Sequence, residues 1–350
     1  MEMTFRWYGD NDPISLKYIK QIPRVKGIVS ALYDVPVGDI WPIKKIQALK
    51  NKIESVGLNF TVIESIAVHE DIKLGLPTRD KYIDNYCQSI RNMGSLGIRI
   101  LCYNFMPVFD WTRTELDFEI SDGSNVLSYD HEQLKNIDLR EESLELPGWA
   151  THYNKKELDT LLKKYSNFDD EKLWENLEYF LKKVIPVAEE YKVKMGIHPD
   201  DPPWSILNLP RIITDEIALE RFINIVDSPS NGITFCTGTL GANKKIDLIK
   251  SIRKFGAMER IPFAHCRNIK HTGEYSFHEV EHPTEFGDID MYEVIKALVE
   301  VEFKGAIRPD HGRMIWGEKG RPGYGLYDRA LGSIYLSGLW EGIEKTLKGK

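Results

Sequence analysis

Cysteine is scarce in this chain. Only Cys87, Cys102, Cys236 and Cys266 occur in 350 residues, and no two form a CxxC pair. That spacing excludes a disulfide scaffold and points to reduced thiols. Positive charge is not in excess: 46 Lys and Arg stand against 53 Asp and Glu, a net charge of −7. An acidic chain without a basic tract argues against a nucleic-acid surface. An anionic ligand would therefore need a local cluster of Arg or Lys rather than help from the global field. No apolar run approaches the roughly 20 residues that cross a bilayer, so no membrane association is expected. Met1 to Tyr8 has no basic segment followed by an apolar stretch, so no secretory leader is expected and cytoplasmic residence is. A glycine-rich phosphate turn after the first strand is also missing, since Gly9-Asp-Asn-Asp12 is not one. This argues against an open, doubly wound nucleotide-binding sheet.

What is present is a rhythm. Short apolar strands are expected at Phe5–Gly9, Gly27–Tyr33, Phe60–Glu64, Gly97–Tyr103, Lys194–His198, Asn231–Cys236, Ile261–His265 and Gly305–Asp310. Between them, apolar residues recur at three- and four-residue steps. Ile43, Ile46, Leu49, Ile53 and Val56 predict a helix over 42–56. Further helices are expected over 79–96, 171–191, 243–255, 289–301 and 326–346. Another, with Ile217, Phe222 and Ile225, is expected to be capped by Thr214, and an early one by Asp10 to Pro13. Eight strands alternating with eight helices predict an α/β fold of the closed (β/α)8 TIM-barrel type, with residues 1–350 as a single domain. The rhythm breaks twice. Residues 104–170 are expected to be a partly helical insertion after strand 4, serving as a lid or a subunit contact. A shorter insertion, His271–Asp288, follows strand 7 and reads as a solvated loop holding His278 and His282.

In such a barrel the C-terminal strand ends form one face, where active sites sit. Four successive strand ends carry His198, Cys236, His265 and Asp310. A lone histidine or cysteine there is commonly a packed residue. Four in succession, all of metal-ligand type, point to a metal site. On donor chemistry alone Zn²⁺ accepts the whole set, whereas Mn²⁺ or Fe²⁺ matches all but the thiolate. Side chains two apart on a strand share a face. Arg267 is thus expected beside His265 and Arg308 beside Asp310, both facing the barrel mouth, with Arg6 a third candidate. Arginines around a metal in an acidic protein suggest a carboxylate or phosphate ligand. His311 and Tyr324 are candidates for a base and an acid. Arg313 has no assigned role.

Ile197-His-Pro-Asp-Asp-Pro-Pro203, Phe235-Cys-Thr-Gly-Thr239, His265-Cys-Arg-Asn268, Arg308-Pro-Asp-His-Gly312, Arg6-Trp-Tyr-Gly9 and Gly323-Tyr-Gly325 together resemble the mannonate dehydratase family of hexuronate catabolism. The resemblance extends from the first strand to the last helix. It implies a xylose-isomerase-like barrel that converts D-mannonate to 2-keto-3-deoxy-D-gluconate with Mn²⁺ or Fe²⁺, in place of Zn²⁺. It implies His198, Cys236, His265 and Asp310 as metal ligands, and His311, Tyr324 and Arg308 as catalytic residues. Arg6, Arg267 and Asn268 are the expected substrate-binding residues, and a homodimer is the expected assembly. The competing expectations are a metal-dependent sugar isomerase or epimerase on the same barrel, and a non-catalytic sugar-acid binding module.

Overall fold

The structure, a computed structural model, describes residues 1–136 and 155–349. In chain order the strands are β1 (Glu2–Arg6), β2 (Val25–Ser30), β3 (Asn59–Glu64), β4 (Ile100–Tyr103), β5 (Glu115–Glu119), β6 (Asn125–Tyr129), β7 (Lys194–Ile197), β8 (Asn231–Cys236), β9 (Phe263–Cys266), β10 (Ile269–His271), β11 (Phe277–Glu279) and β12 (Ala306–Pro309). The order β1-β12-β9-β8-β7-β4-β3-β2 closes a parallel barrel. These strands are buried on both faces, as expected of strands wrapped by helices; β8, β9 and β12 are buried at every position. All eight expected strands are found, with ends shifted by a few residues. The first, expected from Phe5, instead starts at Glu2 and stops at Arg6.

The helices bury most of the stripes that their spacing predicts, although Ile43 and Ile217 are exposed. Asp170–Glu190 buries Leu173, Leu177, Phe180, Leu181, Val184 and Ala188. Several starts differ from expectation. Asp215, not Thr214, caps the helix Glu216–Ile225, its side chain accepting from Ala218 N–H. The first helix begins at Leu16 under a Ser15 cap, because Asp12 is occupied instead with the Tyr8 and Ile14 amides. The 243–255 helix starts at Leu248, and a separate short helix, Thr237–Ala242, precedes it. In the last helix, Tyr327–Lys348, Leu331 and Ile334 face outward, while Leu336, Trp340 and Ile343 pack inward. Inside the barrel, Val29, Val62, Cys102, Phe263 and Ala306 form a small apolar cluster separate from the strand–helix core.

The two breaks in the rhythm meet. β5 and β6 form a hairpin, closed by the polar turn at Ser121–Asn125. β6 then pairs antiparallel with β11, giving a four-stranded sheet of order β10-β11-β6-β5. The stretch 104–170 is thus part strand and part helix, with helices His131–Lys135 and Lys155–Tyr165; its residues 137–154 lie outside the described residues. The second break is not a solvated loop. Ile269, Phe277 and Glu279 are buried in the sheet, and His282 packs buried against Gly332 of the last helix.

Candidate active site

Strand register assembles the site. β8, β9 and β12 are neighbours, and their pairing sets Cys236 beside His265 and His265 beside Arg308. Neighbouring strands lie about 4.8 Å apart, so equivalent positions bring side chains into contact. His198 directly follows β7, and its ring centroid lies 5.1 Å from that of His265. Donor atoms of His198, Cys236 and His265 fall within 4.8 Å of one another. Asp310, just past β12, closes the group: its Oδ2 is 3.6 Å from Cys236 Sγ and its Oδ1 3.7 Å from His265 Nδ1. Below it, the Phe263 ring meets His265 edge-on at 4.5 Å, so the barrel interior is apolar up to the site.

The donor set suits a divalent cation. His198 Nδ1 lies 2.7 Å from the Pro199 carbonyl, where its N–H donates and leaves Nε2 as the free donor atom. Ligating histidines are usually oriented in this way. His265 Nε2 is buried without a hydrogen-bond partner among the described residues. Burial alone would push the Cys236 thiol up. Arg267 and hydrogen bonds with His198 and His265 instead hold it well below its ordinary value, against the opposition of Asp310. Burial likewise opposes ionisation of Asp310, yet Arg308, His311, His265 and Arg267 keep it an anion. Burial disfavours the His198 imidazolium, but the Cys236 thiolate, Asp310 and Asp201 outweigh it and lift His198 to about 9. Thiolate and carboxylate charge gathered in a buried place is what a bound cation neutralises. A second grouping, Glu64, Cys102 and His265, is equally compact. It fits less well, because burial drives the Cys102 thiol well up and keeps it protonated.

The arginines divide. Arg308 Nη2 contacts Asp310 Oδ1 at 2.7 Å and Glu64 Oε1 at 3.0 Å, and Arg6 Nη1 lies 3.3 Å from Glu64 Oε2. Both line a cavity of about 600 Å³ at the barrel mouth, together with His198, Asp310, His311 and Tyr324. Arg267 does not reach this wall. It lies against Gly238, where an added Cβ would sit 2.5 Å from Arg267 Cγ. Its guanidinium is held by Glu279 at 2.7 Å, Asp201 at 2.7 Å and Asp310 at 2.9 Å. Asn268 is also withheld: its Oδ1 accepts from the Ile269 and Ile289 amides and its Nδ2 donates to Pro283 O. Of the expected substrate-binding residues, Arg267 is thus engaged by carboxylates behind the cavity wall and Asn268 by the backbone of its own loop.

His311 and Tyr324 are adjacent, with Nε2 2.7 Å from the Tyr324 hydroxyl, and both are buried at the cavity wall. Burial raises the Tyr324 hydroxyl far above its ordinary value, Tyr8 and Asp310 adding to the effect, so it stays protonated. Sequence reasoning missed four residues here. Glu64 ends β3, and the strand-end logic that found Asp310 could have found it. Asp201 lies inside the 197–203 motif. Arg113 and Glu279 come from the two inserted segments, whose pairing across some 150 residues leaves no local signal. Neither His278 nor His282 lines the cavity. Arg313 is no free surface residue: it ties Glu281 of the second insertion to Asp328 of the last helix, at 2.8 and 2.9 Å.

Comparison with known proteins gives the family. The family model of D-mannonate dehydratase (UxuA) matches residues 1–350. A mannonate dehydratase of Streptococcus uberis is 58% identical over 348 residues, covering 99% of this chain and 100% of that protein. The crystal structure of mannonate dehydratase from Streptococcus suis serotype 2 superposes with a TM-score of 0.93 at 49% identity, covering 100% of this chain and 96% of that one. L-ribulose 3-epimerase, at 13% identity and a TM-score of 0.56, shares the barrel fold alone. The chain therefore belongs to the D-mannonate dehydratase family.

Proposed function

We propose that the protein is a hydro-lyase that dehydrates D-mannonate to 2-keto-3-deoxy-D-gluconate. The observation that carries this reading is the cavity wall of a whole-chain family member: two guanidiniums, Arg6 and Arg308, stand around Glu64 beside a buried pair of proton-transfer groups. Arg6 and Arg308 bind the carboxylate of the sugar acid, and the walls of the cavity exclude bulk water.

The reaction removes a proton from C2, next to the carboxylate, and hydroxide from C3. The C2–H electrons form the C2–C3 double bond as the C3–O bond breaks. The resulting enol gains a proton at C3 and becomes the 2-keto acid, so the net loss is one water. His311 and Tyr324 divide the proton transfers, one accepting from C2 and the other protonating the departing hydroxyl. Arg308 holds the developing charge in place. His198, Cys236, His265 and Asp310 are the proposed ligands of Mn²⁺ or Fe²⁺. When bound, such a cation supplies positive charge beside the anion that develops at C2.

The remaining parts of the reading concern the whole chain. Residues 1–350 act as one domain, and the 104–170 stretch serves as a lid; its Trp111 lies 5.3 Å from the His311 ring, which supports that role. Homodimerisation is favoured by an exposed apolar group in which Trp316 packs 5.5 Å from Tyr327 beside Leu331. Cytoplasmic residence suits four unpaired cysteines, and among the described residues no helix is long and apolar enough to cross a membrane.

The test is direct. Purified protein loaded with Mn²⁺ under reducing conditions is given D-mannonate and assayed for a 2-keto-3-deoxy acid. Product one water lighter than substrate is expected. An isomer of unchanged mass, or no product from folded, metal-replete protein, overturns the reading. Sedimentation gives the assembly, and fractionation of the source cells the location.

A further inference from the structure

Glu279 is buried, 1% exposed, and absent from the cavity wall, yet three cationic or ring N–H groups converge on its Oε1. Arg267 Nη1 lies at 2.7 Å, Arg113 Nη2 at 3.0 Å and His311 Nδ1 at 2.6 Å. A carboxylate held by two guanidiniums is ionised and can only accept hydrogen bonds. Burial opposes this charge, but His311, Arg267 and Arg113 together keep Glu279 below its ordinary value. The shared proton therefore sits on His311 Nδ1. Nε2, the other ring nitrogen, faces the Tyr324 hydroxyl at 2.7 Å.

We propose that Glu279 is a positioning residue that holds the His311 ring by its Nδ1–H and so aims Nε2 at Tyr324 and the cavity. This rests on the dehydratase reading above. The arrangement has the logic of a carboxylate–imidazole–hydroxyl chain, in which the carboxylate sets the tautomer and orientation of the ring without touching substrate. It also gives the second inserted segment a reason to be woven into the sheet. β11 ends at Glu279, and its pairing with β6 fixes the height at which the carboxylate meets His311.

The experiment uses the whole protein, loaded with diamagnetic Zn²⁺ and labelled with nitrogen-15 histidine. His311→Gln identifies the His311 resonances by their loss. Wild-type protein is expected to show His311 with a protonated Nδ1. A bare Nδ1 overturns the proposal, and this readout does not depend on turnover. In Glu279→Gln the amide can donate to Nδ1, so the tautomer is expected to shift toward Nε2–H. With it kcat should fall on the order of 10³-fold at a KM within roughly threefold of wild type. Glu279→Gln with an unchanged tautomer and unchanged kcat at full metal content overturns the proposal. Should Glu279→Gln fail to fold, the wild-type tautomer still decides. Absence of dehydration by wild type would sink the functional reading instead, which keeps the two failures apart.

Discussion

Asp310 divides two clusters of charge that look alike in composition and differ in balance. On the cavity side, Arg6 and Arg308 share Glu64, and Arg308 also binds Asp310 at 2.7 Å. On the far side, Arg113 and Arg267 meet two carboxylates, Asp201 and Glu279. In the far cluster each guanidinium meets at least two carboxylates. Arg113 binds Asp201 at 2.8 Å, and the chain of ion pairs runs through Arg267 to Asp310. In the cavity cluster Arg6 meets one carboxylate, Glu64, and Arg308 Nε and Nη1 lack hydrogen-bond partners among the described residues. Buried charge is tolerable only when paired. The densely paired cluster therefore builds the wall, and the sparsely paired one can take an anion. Two guanidiniums at equal depth, each two residues from an expected ligand, thus have opposite uses.

That contrast can be broken experimentally. The largest effect is expected where the clusters meet: His311→Gln should lower kcat by roughly 10²–10⁴-fold, with metal content and melting temperature close to wild type. A variant that instead loses its metal would make His311 a structural neighbour of Asp310 rather than a catalytic group. On the far side, Arg113→Met leaves Asp201 and Glu279 partly unpaired. It should cost about 3–5 kcal/mol of folding stability by denaturant titration. Unchanged stability would mean that the far cluster is not a wall. On the cavity side, Arg6→Met removes a guanidinium that meets a single carboxylate, Glu64. It should raise KM for D-mannonate roughly tenfold or more, the worth of one charge-assisted hydrogen bond, at a smaller cost in stability than Arg113→Met. An unchanged KM with a collapsed fold would erase the distinction.

Acid should affect both sides. Burial opposes the charge on Glu64, Asp201 and Glu279, but their cationic neighbours hold all three below their ordinary values. The unfolded chain then binds more protons than the folded one near pH 4. Stability is full above the ordinary carboxylate range and falls as pH drops through it and below. Denaturant midpoints measured from pH 7 to pH 3 should decline from about pH 4.5 downward. A midpoint that rises on acidification would contradict the ion-pair assignment.

Much of the architecture was legible because it repeats. Alternating strand and helix periodicity marked eight strands, and the ligand-type residues His198, Cys236, His265 and Asp310 stood at the ends of the last four. The inserted segments were not legible. The turn at Ser121–Asn125 is a local signal, but β6 finds β11 through pairs such as Phe277 with Tyr129, separated by 148 residues of chain that carry no register mark. The sequence also could not separate Arg267 from Arg308, since both follow the same two-residue spacing from a ligand.

The order of residues alone therefore determined the barrel and the four side chains that converge on its rim. Backbone periodicity and strand ends are local properties, and closure of the barrel does the rest. Only the tertiary structure decided which guanidinium faces the cavity, that Glu64 stands between Arg6 and Arg308, and that Glu279 reaches His311. Those outcomes depend on charges brought into contact across 32 to 244 residues. In a buried site it is the balance of the assembled charges, not the identity of any one, that sets what each side chain can do.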